Sequence, residues 1–218
     1  MKSRPAVIVL AAGRGERFLG AEHKLSQVLG SSTVLGTTLQ HAIASQLQVV
    51  VVTTEPLAEI ARRHVAARDV IVLPRVGVGG GVGAAASAGS GSAAHLGMGH
   101  SIASGVSARA DASGWLILPA DMPLVQPATL VAVAAQLDQH AVVCAHHKGR
   151  RGHPVGFSSE LYSELVMLSG DEGARRLVAR YPALGLELGD PGVLVDVDTE
   201  ADLASVRQAL GEAPLEIR

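Results

Sequence analysis

The chain has 218 residues and a formal net charge of −2, with 48% hydrophobic and 17% charged residues, the size and balance of a globular domain with a real core. Aromatic residues make up only 2%, so that core must be built from Ala, Val, Leu and Ile, and the stacking platforms that single-stranded nucleic acids need are scarce. The near-neutral charge supplies no broad basic face for duplex DNA, no apolar run reaches the length of a membrane span, and a lone cysteine, Cys144, excludes an internal disulfide framework and suits a reducing, cytoplasmic setting. Small-molecule chemistry is therefore the expected class of function.

In chain order, Met1 to Arg4 is basic and Ala6 to Ala12 apolar, the order found in a secretory signal. The run is too short for that role and Arg14, Glu16 and Arg17 follow at once, so it reads as a buried β-strand ending in a glycine turn. Thr33 to Ser45, without proline, predicts a helix; "VVVVTT" (Val49 to Thr54) predicts a strand, and Glu55 to Ala67 a helix with Pro56 in its first turn. "DVIVLP" predicts the next strand. Val76 to Ala94, "VGVGGGVGAAASAGSGSAA", loses much entropy on ordering for little side-chain area, which predicts a flexible Gly/Ala/Ser-rich surface insertion, with a lid over the site as the sharper alternative. Ser101, in "GMGHSIASG", is placed to cap a helix. "GWLILPAD" is a strand with Asp121 at its carboxyl end; Pro127 to Gln139 reads as helix and Ala141 to His146 as strand. Glu172 to Arg180 and Glu200 to Leu210 read as helices, with Asp171 and Thr199 as expected caps. Strands alternating with helices predict a mainly parallel sheet covered on both faces, with ligands beyond the carboxyl ends of its strands.

The stretch "VLAAGRGERFLGAEHK", Val9 to Lys24, is the first turn where such a ligand would sit. It is not a dinucleotide fingerprint, because Phe18 stands where the third glycine belongs. Nor is it an ATP P-loop: Gly15 and Gly20 have the spacing, but Ala21 and Glu22 replace the required Lys and Ser/Thr. What remains is a loop whose glycines let backbone N–H groups approach a polyphosphate, with Arg14, Arg17 and Lys24 as candidate cations. Cys144 and His146 would share a strand face by alternation, but without further cysteines they do not make a zinc site.

This loop resembles the L-A-A-G-x-G-x-R signature, followed by Lys, of the MobA-like nucleotidyltransferases, the family of the molybdenum cofactor cytidylyltransferases and guanylyltransferases. "GMGHSIASGV", "LPADMPLV", "GRRGHPVGF", "SGDEGARRLV" and "VDVDTEADL" follow in the family's order, so the resemblance spans Ala6 to about Leu210. The resemblance implies a Rossmann-like three-layer α/β sandwich forming one nucleotidyltransferase domain over 1–218. It is closest to the cytidylyltransferases, which implies transfer of CMP from CTP to molybdopterin with release of pyrophosphate, for a molybdenum hydroxylase recipient, with no nucleic acid or membrane partner.

By the same resemblance, Asp121 binds the catalytic Mg²⁺, with Mn²⁺ as an alternative, and Asp198 is a second metal candidate. Lys24, assisted by Arg14 or Arg17, neutralises the triphosphate or the developing charge. Leu10, Ala11, Ala12, Gly13 and Gly15 meet the nucleotide through backbone groups, with Ser101 and Gly105 as further contacts, and Ala12 in "LAAG" implies a preference for CTP. Arg150, Arg151, His153 and Pro154 form the acceptor side, which agrees with guanidinium binding of a terminal phosphate. The alternatives are a guanylyltransferase or another nucleotidyltransferase of this fold with a different phosphorylated acceptor, or a non-catalytic chaperone of the molybdenum cofactor.

Overall fold

Six small apolar residues, Ala6–Ala11, form β1, which is paired on both edges and nearly inaccessible along its length. The structure, a computed structural model, describes residues 3–13, 18, 22–74 and 97–211. The insertion expected at 76–94 and the loop residues Arg14, Gly15 and Arg17 lie outside the described residues. After β1 come a short hairpin of β2 (Val28–Leu29) and β3 (Ser32–Thr33), α1 (Val34–Ala44), β4 (Gln48–Thr54), α2 (Glu55–Arg62) and β5 (Val70–Leu73). The second part holds α3 (Met98–Ser107), β6 (Gly114–Pro119), α4 (Pro127–Gln136), β7 (Val142–His147) and β8 (Arg150–Ser158). It ends with α5 (Tyr162–Val166), α6 (Arg175–Arg180), β9 (Ala183–Glu187) and α7 (Glu200–Ala209).

Seven strands form one sheet in the order β5-β4-β1-β6-β8-β7-β9. All pairings among β5, β4, β1 and β6 are parallel, and so is β7 with β9; β8 runs against both of its neighbours. Strand alternation divides β1 between two cores. Val7, Val9 and Ala11 face a layer of α1, α2, α4 and α7, through Leu35, Leu57, Leu130 and Leu203 among others. Ala6 and Ile8 face α3, α5 and α6, through Ile102, Leu165 and Leu177. The result is a Rossmann-like three-layer α/β sandwich. Successive strands leave β1 first toward β4 and β5, then return to its other side at β6, so the β1/β6 boundary is the topological switch point, the place where open α/β sheets take their ligands. Among the described residues no helix is long and apolar enough to cross a membrane.

Several sequence-based expectations change in detail. Thr33 caps α1, its hydroxyl accepting from the Gly36 N–H at 3.0 Å, but α2 stops at Arg62 and α4 at Gln136, short of the ends expected for them. Ser101 does not cap a helix: α3 starts at Met98 with Gly97 as N-cap, and Ser101 is buried inside it. Asp171 is likewise no helix cap, because 171–174 form turns and α6 begins only at Arg175. All of "GRRGHPVGF" after its first glycine belongs to a strand, β8, joined to β7 by a two-residue turn at Lys148 (φ 51°) and Gly149 (φ 72°). Both turn residues donate their N–H groups to the Glu187 carboxylate of β9.

Close backbone approach sets the position of the chain after β9. A Cβ on Gly152 would overlap the Val193 carbonyl oxygen, and one on Gly192 the Leu124 carbonyl oxygen. Asp190, 8% exposed, accepts from Gln126 N (2.9 Å), Thr129 Oγ1 (2.6 Å) and Gly192 N (2.9 Å), tying this segment to the start of α4. Gly152→Ala is therefore expected to destabilise the protein by about 1–3 kcal/mol through overpacking, lowering Tm by roughly 2–4 °C per kcal/mol. Gly189→Ala, at a position where a Cβ meets nothing within 4 Å, leaves Tm unchanged in the same thermal melt.

Candidate active site

Three segments far apart in sequence meet at the carboxyl ends of β1 and β6. Beyond β1, Gly13 is exposed; the chain returns through His23 into a single helical turn, Lys24–Ser26. The Leu25 N–H donates to His23 Nδ1 (3.2 Å), which leaves the ring hydrogen on Nε2, and Nε2 lies 3.1 Å from the Gly13 carbonyl oxygen that accepts it. His23 thus pins the start of the loop to the turn that carries Lys24.

Asp121 follows β6 directly. Its segment is held from both sides: Ala120 N donates to the Leu10 carbonyl (3.0 Å), and the buried Thr38 hydroxyl donates to the Ala120 carbonyl (2.9 Å). The Asp121 carbonyl accepts from Val197 N (2.9 Å), which brings in the third segment. That segment is aimed by the start of α7, where Thr199 and Asp202 form a reciprocal capping box and Asp202 also accepts from Asp198 N (3.1 Å). The Thr199 hydroxyl and the Thr199 and Asp198 amides hold the Asp202 carboxyl below its ordinary pKa.

The three segments converge on one cation. Lys24 Nζ donates to Asp121 Oδ2 at 2.6 Å and to Asp198 Oδ1 at 2.7 Å, and each of these side chains is less than a fifth exposed. Burial alone would lower the Lys24 pKa; attraction and hydrogen bonds from Asp121 and Asp198 outweigh it and hold the ammonium above its ordinary value. Asp196 flanks the pair, and burial together with repulsion from Asp198 and Asp121 raises its pKa, against the pull of its backbone hydrogen bond and of Lys24. Asp121 Oδ1 is buried and has no hydrogen-bond partner among the described residues. A buried carboxylate oxygen left without a donor, beside a second carboxylate, is a hard-oxygen set that fits a divalent cation.

Of the expected nucleotide contacts, Leu10 and Ala11 are committed to the sheet by pairing with β4 and, at Leu10, with β6, while Ala12 and Gly13 emerge past it on the rim. Gly105 has a packing role: a Cβ there would overlap the Ile8 side chain beneath α3. Ser101 is buried in the same helix, and the Gly99 N–H at its start already donates to the Gly170 carbonyl (2.8 Å). On the expected acceptor side, the β7–β8 turn projects at the same end of the sheet as Asp121, because β7 runs parallel to β1 and β6. Arg150 and Arg151 are exposed there, while Pro154 is buried. Burial lowers the pKa of His153, attraction to Asp121 opposes this, and repulsion from Arg151 adds to it. His23 and Asp202 had no motif to announce them; only the position of His23 next to Lys24 and the T-x-x-D spacing of Thr199 and Asp202 could have singled them out.

A mainly parallel three-layer sandwich with a lysine set against two aspartates at its switch point has the fold of an α/β nucleotidyltransferase. Residues 7–184 match the MobA-like NTP transferase domain, and the chain belongs to that family. It is 31% identical over 209 residues to the purine catabolism protein PucB of Bacillus subtilis (strain 168), covering 93% of this chain and 96% of PucB. Among solved structures, Rv0371c of Mycobacterium tuberculosis H37Rv superposes with a TM-score of 0.74 at 26% identity, over 95% of this chain and 100% of the other, and the same protein in complex with manganese gives 0.71. A nucleotidyl transferase from Methanothermobacter thermautotroptrophicus shares the fold, with a TM-score of 0.72 at 23% identity over 94% and 97% of the two chains.

The lowered pKa of His153 makes a pH prediction. The unfolded chain takes up a proton on this residue near 6.5, the folded chain only at lower pH, so the unfolded state binds more protons in between and stability falls as pH drops below 6.5. Urea titrations between pH 7.5 and 5.5 should show His153→Asn losing less stability than the wild type over that range. The difference is at most about 1.4 kcal/mol per pH unit, the limit for one proton.

Proposed function

We propose that the protein transfers CMP from CTP to molybdopterin and releases pyrophosphate. A phosphate oxygen of the acceptor attacks the α-phosphorus of CTP, the bond from that phosphorus to the oxygen bridging the α- and β-phosphates breaks, and pyrophosphate leaves with the bonding electrons. The observation that carries the reading is the Lys24 ammonium held between Asp121 and Asp198 at the switch point, a cation and two carboxylates where a triphosphate enters such a fold.

In this reading Ala12 and Gly13 offer backbone groups to the nucleotide, joined by Arg14, Gly15 and Arg17 of the same loop. Lys24 carries positive charge to the triphosphate and to the leaving pyrophosphate. Asp121 and Asp198 would hold Mg²⁺ or Mn²⁺, which when bound neutralises charge on the reacting phosphates. Arg150 and Arg151 bind the terminal phosphate of the acceptor by bidentate hydrogen bonds, and His153, kept neutral by burial, lines its approach to Asp121. The manganese complex of a neighbour at 26% identity supports the divalent metal. The acceptor and its hydroxylase recipient are supported by the resemblance of the "GRRGHP" and "VDVDT" segments to the cytidylyltransferases. Ala12 in the first loop supports CTP.

The test is pyrophosphate release by the purified protein with Mg²⁺ and molybdopterin, comparing CTP, GTP and ATP. CTP is expected to be preferred, and Asp121→Ala to lower kcat by about 10²–10³-fold, the usual loss on removing one electrostatic stabiliser of the transition state. Preference for GTP would move the reading to guanylyl transfer. Tight cofactor binding with no release from any nucleotide would replace catalysis by a carrier role.

A further inference from the structure

We infer that the Lys24 ammonium competes with the catalytic divalent cation for the carboxylates of Asp121 and Asp198, so that the cation is admitted together with the nucleotide and not ahead of it. This rests on the nucleotidyl-transfer reading of the same site. Two of the three ammonium hydrogens are spent on the carboxylates, at 2.6 and 2.7 Å, and the lysine is only 11% exposed, so it neutralises the very groups that a metal would use. A divalent cation entering beside it would meet a positive charge in a half-buried setting, where solvent screens like charges poorly.

Triphosphate changes that balance. Its oxygens give the ammonium a new partner, and a flexible four-carbon stem lets a lysine move its charge from one acceptor to another. The carboxylates are then released to the metal, which also gains phosphate oxygens; magnesium commonly binds through one or two carboxylates plus substrate phosphates. Asp121 Oδ1, already buried and without a donor among the described residues, is an oxygen that the lysine leaves unused. His23 favours the exchange by anchoring the turn of Lys24 to Gly13, so the lysine pivots from a fixed base at the edge of the nucleotide loop. Coupling of this kind is reciprocal: metal tightens nucleotide as much as nucleotide tightens metal.

The experiment is Mn²⁺ binding by electron paramagnetic resonance, without acceptor, in wild type, Lys24→Met and Lys24→Gln, each with and without CTP. Protein-bound Mn²⁺ is separated from free Mn²⁺ and from Mn·CTP by its broadened spectrum. The wild type is expected to bind Mn²⁺ about 10-fold or more tightly with CTP than without it, within the usual range of coupling between two ligands. Removing the lysine charge is expected to tighten Mn²⁺ binding without nucleotide by a similar factor and to erase most of the coupling. Circular dichroism checks that both variants fold. If neither does, the wild type decides alone: Mn²⁺ bound equally tightly with and without CTP overturns the exchange. Unchanged or weaker Mn²⁺ binding in folded variants overturns it as well. Both of these outcomes leave the nucleotidyl-transfer reading standing, whereas failure to bind Mn²⁺ with any of CTP, GTP or ATP overturns the exchange and the metal site together.

Discussion

A lysine side chain cannot be drawn out of water unless something receives its charge, and at this site the receivers lie 97 and 174 residues away along the chain. The rest of the molecule can be understood as the means of delivering them. β6 must stop at Pro119 for Asp121 to reach Lys24, and the segment before α7 must lie back against the end of β6 for Asp198 to arrive from the other side. Removing either carboxylate would leave a part-buried charge short of a partner, so the ion cluster ties the geometry of the candidate site to folding.

The supports around the cluster combine short polar side chains with close backbone approach, which explains how an aromatic-poor chain achieves the required accuracy. Small side chains let β1 be covered closely on both faces, and glycines at 105, 152 and 192 let helix, strand and loop approach to distances that a methyl group would forbid. Asp190 then fixes with three hydrogen bonds what packing alone leaves free.

How much of this could be read in advance follows the same physics. Buried parallel strands are continuous apolar runs, so β1, β4, β5 and β6 stood out, and Asp121 followed from the end of β6. Thr199 was legible as a cap because its chemistry is local. β8 was not, because a strand that opens with two exposed arginines and contains Gly152 and Pro154 looks like a basic loop until its partners β6 and β7 are in place. β9, alternately exposed along its length at the sheet edge, carries too weak a pattern to declare itself. Asp171 had the right residue type for a cap, but the chain there turns before it coils. The pairing of Lys24 with both aspartates depends on three segments brought together by the fold, and no spacing along the chain encodes it.

The two-residue turn at Lys148 and Gly149 lies at the rim, clear of both cores. Side chains on β7 and β8 alternate, so residues added at this tip in matched pairs would leave every inward-facing residue below it facing inward. Each pair would carry the basic end outward by about 3.4 Å for every residue per strand. An unpaired addition would instead form a bulge and bend the arm. The hairpin is thus an arm of adjustable reach mounted on a fixed frame: what it touches can change with its length while the ion cluster stays where it is.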